Sequence, residues 1–138
     1  MNKLFYTWED FEEDISYFKA VIESNNITHL VTLYRGGLPL GVKLSNVCSL
    51  PLSILDYQSY DGKSDKVTII KDKGLIQKNN VLLIDDICDS GNSITKSLDF
   101  LTGINVKVCT IYSNNNKHNK DWLYCREHNN EWVVFPWE

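Results

Sequence analysis

Two adjacent carboxylates and a run of small polar residues offer the clearest chemistry in this sequence. Asp85 and Asp86 follow the apolar run at residues 81–84, and the polar run occupies residues 89–93. Such a loop can turn successive backbone N–H groups toward an anion, and the N-terminus of a following helix adds positive potential. The carboxylates would repel a bare phosphate, so the ligand should also offer hydroxyl groups or a divalent cation. The pattern predicts a ribose-phosphate site. Its loop residues are Asp89, Ser90, Gly91, Asn92 and Ser93.

The spacing of apolar residues predicts the elements on either side of this loop. The unbroken apolar run at residues 81–84 is typical of a strand buried on both faces of a parallel sheet. After the loop, Ile94, Leu98 and Leu101 recur at spacings of four and three, which make one apolar face of a helix. Ser, Asn and Asp are also ordinary helix N-caps, so a single Asp-x-Gly turn would indicate no more than a helix start. The complete order of strand, acidic pair, loop and helix favours the ribose-phosphate site.

A second strand-loop-helix unit has a cation at its tip. Residues 30–34 predict a strand that runs into Arg35, Gly36 and Gly37, and residues 39–47 predict a helix that begins with a proline. Taken alone, Arg-Gly-Gly is typical of a solvated turn. Beside a ribose-phosphate loop it becomes a candidate second phosphate site, because glycines let the backbone approach a ligand and the guanidinium supplies a charged fork.

The remaining segments complete an α/β pattern. Thr7 is the predicted N-cap of an amphipathic helix that ends near residue 24, with a carboxylate in the capping-box position. Residues 52–55, 67–70 and 106–112 predict further strands, and the polar segment between the first two predicts a protruding loop or hairpin. We therefore expect a Rossmann-like α/β fold, with a mainly parallel sheet flanked by helices. The site should lie in the crevice at the carboxyl ends of the strands.

Length and composition are those of a single globular domain spanning residues 1–138. The formal net charge of -4 argues against non-specific nucleic-acid binding through a basic surface. No stretch reads as a membrane span, and the N-terminus lacks the apolar core of a signal peptide. The four cysteines form no C-x-x-C pair, which predicts buried free thiols in a cytoplasmic protein.

The segment at residues 81–94 resembles the phosphoribosyl pyrophosphate (PRPP) signature of the type I phosphoribosyltransferases. That signature consists of hydrophobic residues, an acidic pair, two further residues, Asp-Thr-Gly and a hydroxyl residue. Ser90 stands in the Thr position here and keeps the hydroxyl. The resemblance implies that Asp85 and Asp86 lie near the ribose hydroxyls and that Asp89 exchanges a proton with a purine ring nitrogen. These three carboxylates are the predicted catalytic residues. By the same resemblance, pyrophosphate is received by Arg35, Gly36 and Gly37.

Further segments resemble the bacterial xanthine-guanine phosphoribosyltransferases, so that the match covers nearly the whole chain. The shared features are a Tyr-Thr-Trp segment at residues 6–8, the Arg-Gly-Gly loop, a Ser-Tyr pair and a Pro-Trp-acid ending. The resemblance implies that Ser59 and Tyr60 lie on a mobile loop that closes over the active site, whereas composition alone favours a surface hairpin. It also implies that Trp132 stacks on the base and the Val133 backbone reads its edge. A final strand that fills the core would also explain the aromatic tail. The predicted ligands of a Mg²⁺ cofactor are Asp85, Asp86 and Glu138.

The implied reaction transfers the phosphoribosyl group of PRPP to a 6-oxopurine base, in a protein expected to form a homo-oligomer. Two departures from those enzymes concern the base. They have a lysine after the last core strand that contacts the 6-oxo group, whereas this chain has Asn114 there and its nearest lysine is Lys117. The chain also ends at Glu138, without the further C-terminal segment expected. The sequence therefore does not select among guanine, hypoxanthine and xanthine as the base, and a phosphoribosyltransferase for another base is the alternative.

Two functions of other classes use similar residues. A PRPP-sensing regulator without turnover would keep the phosphate loop, but such a protein would be expected to show a basic nucleic-acid surface. A phosphoacceptor receiver domain also has an acidic pair after a strand, but that pair belongs near the N-terminus. The acidic pair of this chain follows a late strand, which favours the transferase.

Overall fold

Six strands, five of them parallel, form the central sheet of this computed structural model. The structure describes residues 2–60, 64–72, 74, 80–114 and 121–138. In chain order the elements are β1 (Lys3–Phe5), α1 (Trp8–Ser24), β2 (His29–Tyr34), α2 (Leu38–Cys48), β3 (Leu52–Tyr60), β4 (Ser64–Lys71), β5 (Val81–Cys88), α3 (Asn92–Phe100), β6 (Val106–Asn114), β7 (Leu123–His128) and β8 (Trp132–Val134).

The strand order of the large sheet is β4-β3-β2-β5-β6-β7, with β4 antiparallel to β3. Helices cover both faces. Phe18 of α1 and Leu40 of α2 belong to the core on one face, and Ile94 of α3 belongs to the core on the other. Because β2 and β5 are covered on both sides, they need apolar residues at nearly every position rather than at alternate ones. The predicted α/β fold with a mainly parallel sheet is confirmed.

The first helix begins where the sequence predicts. Thr7 and Asp10 form a reciprocal capping box, in which the Thr7 side chain accepts from the Asp10 backbone and the Asp10 carboxylate accepts from Thr7 N–H. The helix is fixed to the sheet edge by Asp14, whose carboxylate accepts two hydrogen bonds from Arg126 of β7, at 2.8 and 3.0 Å. Tyr6 donates to the same carboxylate at 2.7 Å. These contacts hold the N-terminal segment against the far edge of the sheet.

Strands β3 and β4 form the predicted hairpin, with Tyr60 paired to Ser64 at its end. The backbone of Ser59 and Tyr60 is part of β3. Their side chains and residues 61–63 lie outside the described part of the chain, so closure of this loop over a site stays a prediction.

The observed strands differ from expectation in three respects. Strand β5 continues through the acidic pair to Cys88 instead of ending before it, because it pairs with β6 as far as Ser113. Strand β7 was not predicted, since its sequence contains charged residues and no apolar run, as suits an edge strand. The terminal segments β1 and β8 pair in parallel as a separate two-stranded sheet, which brings Trp132 and Val133 back toward the carboxyl ends of the large sheet.

All four cysteines are free thiols, Cys88 and Cys109 being buried. Within the described ranges, none of the three helices is long and apolar enough to cross a membrane.

Candidate functional site

The two predicted phosphate loops meet at the point where the strand order reverses. Strands β2 and β5 are neighbours, but the chain leaves β2 toward β3 on one side and leaves β5 toward β6 on the other. In open α/β sheets this arrangement opens a crevice at the carboxyl ends of the two diverging strands, and ligands bind there. The Arg-Gly-Gly loop follows β2, and the acidic pair with its polar loop occupies the end of β5. The fold therefore joins two loops that are about fifty residues apart in sequence.

Gly36 lies against the acidic pair. A Cβ atom on Gly36 would be 2.4 Å from Asp86 Oδ2 and 2.7 Å from Asp86 Cγ, closer than nonbonded atoms approach. A Cβ atom on Gly37 would be 2.5 Å from Thr32 Oγ1 and 2.8 Å from the backbone oxygen of Ile84. Glycine is required at both positions because the loop backbone contacts β2 and β5 directly. The peptide bond between Tyr34 and Arg35 at the start of the loop is cis, and the Arg35 side chain is exposed.

The polar loop after β5 leads into a helix N-terminus with no side-chain cap. Gly91 has φ +84°, a left-handed conformation that other residues rarely adopt, and it is the N-cap of α3. The other loop enters α2 through Gly37, which likewise provides no side-chain cap. The first N–H groups of a helix have no intrahelical partner and attract anions. At α2, Leu38 N–H already donates to the Arg35 backbone oxygen at 3.1 Å and Pro39 has no N–H, so the N-terminus of α3 is the better candidate for an anion.

Asp85 and Asp86 differ in exposure. Asp85 is 9% exposed and its Oδ1 accepts a hydrogen bond from the backbone N–H of Asp86 at 2.9 Å. Burial first, and then the charge of Asp86, raise the pKa of the Asp85 carboxyl well above its usual range. Burial also raises the pKa of Asp86, which is partly exposed to the crevice. In its charged form, the buried Asp85 carboxylate beside a partly exposed second one destabilises the protein, and a bound cation would offset this cost.

This arrangement gives a prediction about stability. Because the pKa of Asp85 is higher in the folded than in the unfolded state, the fold favours the protonated carboxyl. Stability is therefore lost as pH rises from the ordinary carboxyl range through the raised pKa. In Asp85→Asn this titration is absent, and the amide oxygen can still accept from Asp86 N–H. At neutral pH we expect the free energy of unfolding of Asp85→Asn to be about 1 kcal/mol higher than that of the unmodified chain. Urea denaturation without ligand measures this difference.

The same denaturation at about pH 5 and pH 8 should show a smaller pH dependence for Asp85→Asn than for the unmodified chain. Asp99→Asn, on the exposed face of α3, is the matched control and should change neither quantity. A loss of stability in Asp85→Asn at neutral pH would contradict the inferred cost of the buried charge.

Asp89 is oriented by a buried amide. Asn114 is the last residue of β6 and is fully buried, and its Nδ2 donates to Asp89 Oδ1 at 2.9 Å. The same nitrogen donates to Asn130 Oδ1 at 2.7 Å. Both amide hydrogens of Asn114 are therefore already donated to protein acceptors. This network was not predicted from the sequence, where Asn114 was considered only as a contact to a base.

Two cavities flank the acidic pair. The larger, of about 870 Å³, is lined by Arg35 and Gly36 and by apolar side chains that include Trp8 and Trp137. The smaller, of about 220 Å³, is lined by Asp89, Trp132 and Val133 among others. Asp86 and Glu138 contribute to the walls of both. Of the predicted site residues, Arg35 and Gly36 line the larger cavity, Asp89, Trp132 and Val133 line the smaller, and Asp86 and Glu138 line both.

The aromatic tail contributes to the core and to a cavity wall, and stacking of Trp132 on a base stays a prediction. Val133 is buried in the core beside Phe135, so the strand β8 does contribute to the interior. Trp132 is 57% exposed and lines the smaller cavity, so its indole face remains accessible to a ligand. His128 and Glu131 line the same cavity and were not singled out in the sequence, because both fall in a segment with no motif. Lys117 lies outside the described residues.

The donor set in the crevice fits Mg²⁺. Mg²⁺ is usually held by one or two carboxylates together with substrate phosphates, rather than by a complete protein cage. Asp86, which lines both cavities, and its buried neighbour Asp85 are the candidate pair. In the described part of the chain no group of three or more His, Cys, Asp or Glu side chains is arranged to hold a metal ion. Glu138, the third predicted ligand, accepts a hydrogen bond from Phe135 N–H at 3.2 Å and lines both cavities.

The fold and the site define an α/β protein with a crevice suited to an anionic, phosphorylated ligand at its topological switch point. Residues 8–138 match the family model of the phosphoribosyl transferase domain, and the chain belongs to that family.

Its relatives are distant. A hypoxanthine/guanine phosphoribosyltransferase of Aciduliprofundum boonei is 28% identical over 101 residues, which are 66% of this chain and 54% of that protein. The match therefore spans about half the length of this relative. A crystal structure of a purine phosphoribosyltransferase from Pyrococcus horikoshii has a TM-score of 0.87 at 24% identity, covering 100% of this chain and 95% of its own. A Helicobacter pylori xanthine-guanine-hypoxanthine phosphoribosyltransferase has a TM-score of 0.82 at 22% identity. The match covers 99% of this chain and 92% of that one. These two likenesses establish the shared fold.

Proposed function

We propose that this chain is a purine phosphoribosyltransferase that transfers the phosphoribosyl group of PRPP to guanine, hypoxanthine or xanthine. The products are the nucleoside 5′-monophosphate and pyrophosphate, a step of purine salvage. The observation that supports this most directly is the approach of Gly36 to Asp86, which brings the Arg-Gly-Gly loop against the acidic pair that precedes the second loop. PRPP has phosphate groups at both ends of a ribose, and this crevice matches that order of charges.

Each end of PRPP has a suitable partner in the proposal. The 5′-phosphate binds the loop from Asp89 to Ser93, where the left-handed Gly91 turns the backbone into the uncapped N-terminus of α3. The pyrophosphate binds Arg35, Gly36 and Gly37, where the exposed guanidinium adds charge to the N-terminus of α2. Asp85 and Asp86 would hold Mg²⁺, which would neutralise the negative charge of the leaving pyrophosphate.

The chemical step uses the carboxylates of β5 and its loop. The bond at the ribose anomeric carbon loosens before the base attacks, so positive charge develops on the sugar. Asp85 and Asp86 place negative charge beside that carbon and stabilise the charge as it forms. Asp89 exchanges a proton with a ring nitrogen of the purine, and its hydrogen bond from Asn114 fixes the carboxylate for this role. Tyr60 on the hairpin loop closes the site against water, a competing nucleophile.

The base occupies the smaller cavity in this proposal. The exposed indole of Trp132 stacks on the flat heterocycle, and the backbone of the neighbouring Val133 reads its edge. This position puts the base between the stacking surface and Asp89, as the proton exchange requires.

The test is release of pyrophosphate from PRPP with Mg²⁺ and a panel of guanine, hypoxanthine, xanthine and adenine. We expect turnover on 6-oxopurines and weak turnover on adenine, whose 6-amino group is a donor rather than an acceptor. Adenine as the best substrate would remove the 6-oxopurine assignment and leave PRPP chemistry standing. PRPP binding without pyrophosphate release on any base would instead indicate a PRPP-binding regulatory protein.

Asn114 supplies a prediction within this function. Its amide holds Asp89, so Asn114→Ala should lower kcat/KM by about 1 kcal/mol or more on every accepted base, mainly through kcat. Steady-state kinetics on guanine and hypoxanthine measure both parameters. A loss confined to KM for 6-oxopurines would favour direct contact of Asn114 with the 6-oxo group. If Lys117→Ala instead caused such a loss, that role would belong to Lys117.

A further inference from the structure

A polar turn beside the smaller cavity is hydrogen-bonded, through one amide, to the carboxylate of Asp89. Residues 129–131 connect β7 to β8, and Glu131 of this turn lines the cavity. Asn130 has φ +61°, a left-handed conformation. Its Oδ1 accepts a hydrogen bond of 2.7 Å from Asn114 Nδ2, the same nitrogen that donates to Asp89 Oδ1 at 2.9 Å. The turn is therefore linked to Asp89 through the side chain of Asn114.

Burial of Asn114 makes both of these hydrogen bonds necessary. Its side chain is fully buried, and a buried amide hydrogen without an acceptor is destabilising. The amide group is planar and has two hydrogens, so when Asn130 holds one of them the other is directed at Asp89. Loss of the Asn130 acceptor would let the amide rotate toward another partner. The left-handed backbone alone does not explain the asparagine, because glycine adopts that conformation at lower cost.

We infer that Asn130 is a positioning residue, which acts through Asn114 to fix the orientation of the Asp89 carboxylate. This inference rests on the proposed phosphoribosyl transfer and deepens it. Asn130 is two residues before Trp132, which stacks on the base in that proposal. The hydrogen bonds from Asn130 to Asp89 thus tie the base-stacking segment to the carboxylate that exchanges a proton with the base. Turnover depends on this link, because a small misplacement of a catalytic group slows the chemical step strongly.

The test is Asn130→Gly, which removes the acceptor and keeps a residue that tolerates positive φ. We expect kcat on guanine and hypoxanthine to fall about fivefold or more, while KM for PRPP changes less than about twofold. In an Asn114→Ala background the same substitution should lower kcat by less than about a further twofold, because the amide through which it acts is absent. An unchanged kcat in Asn130→Gly, or full additivity of the two losses, would overturn the inference.

Asn80→Gly is the matched control. Asn80 also has φ +61°, and its Oδ1 likewise accepts from an asparagine amide, Asn105 Nδ2, at 3.0 Å. It lies directly before β5, at the opposite end of the sheet from the candidate site. This variant removes the same kind of hydrogen bond and should leave kcat within about twofold. If Asn80→Gly and Asn130→Gly lower kcat equally, the loss reflects general stability and the inference is wrong.

A spectroscopic measurement does not depend on turnover. The ¹³C resonance of the Asp89 carboxyl, assigned by its loss in Asp89→Asn, reports on the hydrogen bond from Asn114. We expect this resonance to move in Asn130→Gly and to stay in place in Asn80→Gly. An unmoved resonance in Asn130→Gly would overturn the inference and leave the proposed function standing. If the unmodified chain releases no pyrophosphate with any base, the proposed function fails, whereas this resonance still decides whether Asn130 orients Asp89.

Discussion

Asp89→Asn is expected to bind PRPP as the unmodified chain does and to lose turnover by about 10²–10⁴-fold, the usual contribution of a general acid or base. The substitution changes little in size, and its amide oxygen can still accept the 2.9 Å hydrogen bond from Asn114. The geometry of the loop proposed to hold the 5′-phosphate should therefore survive. The substitution removes the carboxylate that is proposed to exchange a proton with the base. Pyrophosphate release under saturating substrates measures the loss, and calorimetry measures PRPP affinity.

Asp99→Asn is the control for this experiment, because it makes the same chemical change at the exposed far end of α3. It should leave turnover within about twofold, as surface substitutions away from a site usually do. Near-normal turnover in Asp89→Asn would rule out the proton-exchange role, and the Asn114 hydrogen bond would then have only a structural purpose.

Gly36→Ala is expected to weaken Mg²⁺–PRPP binding by about 1–3 kcal/mol, or roughly 5- to 150-fold, with little change in melting temperature. The new methyl group would lie 2.4 Å from Asp86 Oδ2 and 2.9 Å from Oδ1, so the whole carboxylate must move. A displaced Asp86 no longer lines the crevice between the two loops. Calorimetric titration of PRPP with Mg²⁺ measures the change in affinity.

A double-mutant cycle isolates this contact. If the effect of Gly36→Ala acts through the Asp86 carboxylate, the same substitution in an Asp86→Ala background should cost little further affinity. Additive losses would show that Gly36 contributes independently of Asp86. Gly37→Ala is a useful contrast, since its methyl group would meet the Ile84 backbone at 2.8 Å and should lower the stability of the fold itself.

The local units of the fold were predictable because their determinants are close in sequence. The capping box at Thr7, the apolar run at the start of β5 and the glycine that leads into α3 each act within a few residues. Backbone conformation and hydrophobic spacing specify such units before any tertiary contact forms. The proposed ribose-phosphate loop could be identified for the same reason, since its residues are consecutive.

The edge strand β7 and the pairing of β1 with β8 were not predictable in this way. Residues Leu123–His128 include charged side chains, and their pairing is visible only once β6 provides a neighbour. Segments this short obtain their stability from hydrogen bonds to distant strands rather than from their own pattern. The missed strand also concealed Asn130, which lies in the turn that follows it.

The sequence by itself determined which residue types this protein brings to its candidate site: an acidic pair, a proposed phosphate loop, an Arg-Gly-Gly turn and an aromatic tail. Only the tertiary structure decided their mutual arrangement. The order β2-β5-β6 places Gly36 against Asp86 and Asn114 against Asp89, contacts between residues 50 and 25 positions apart. Burial and hydrogen bonding across such distances depend on which strands are neighbours, and sheet order is a property of the whole chain that local spacing does not specify.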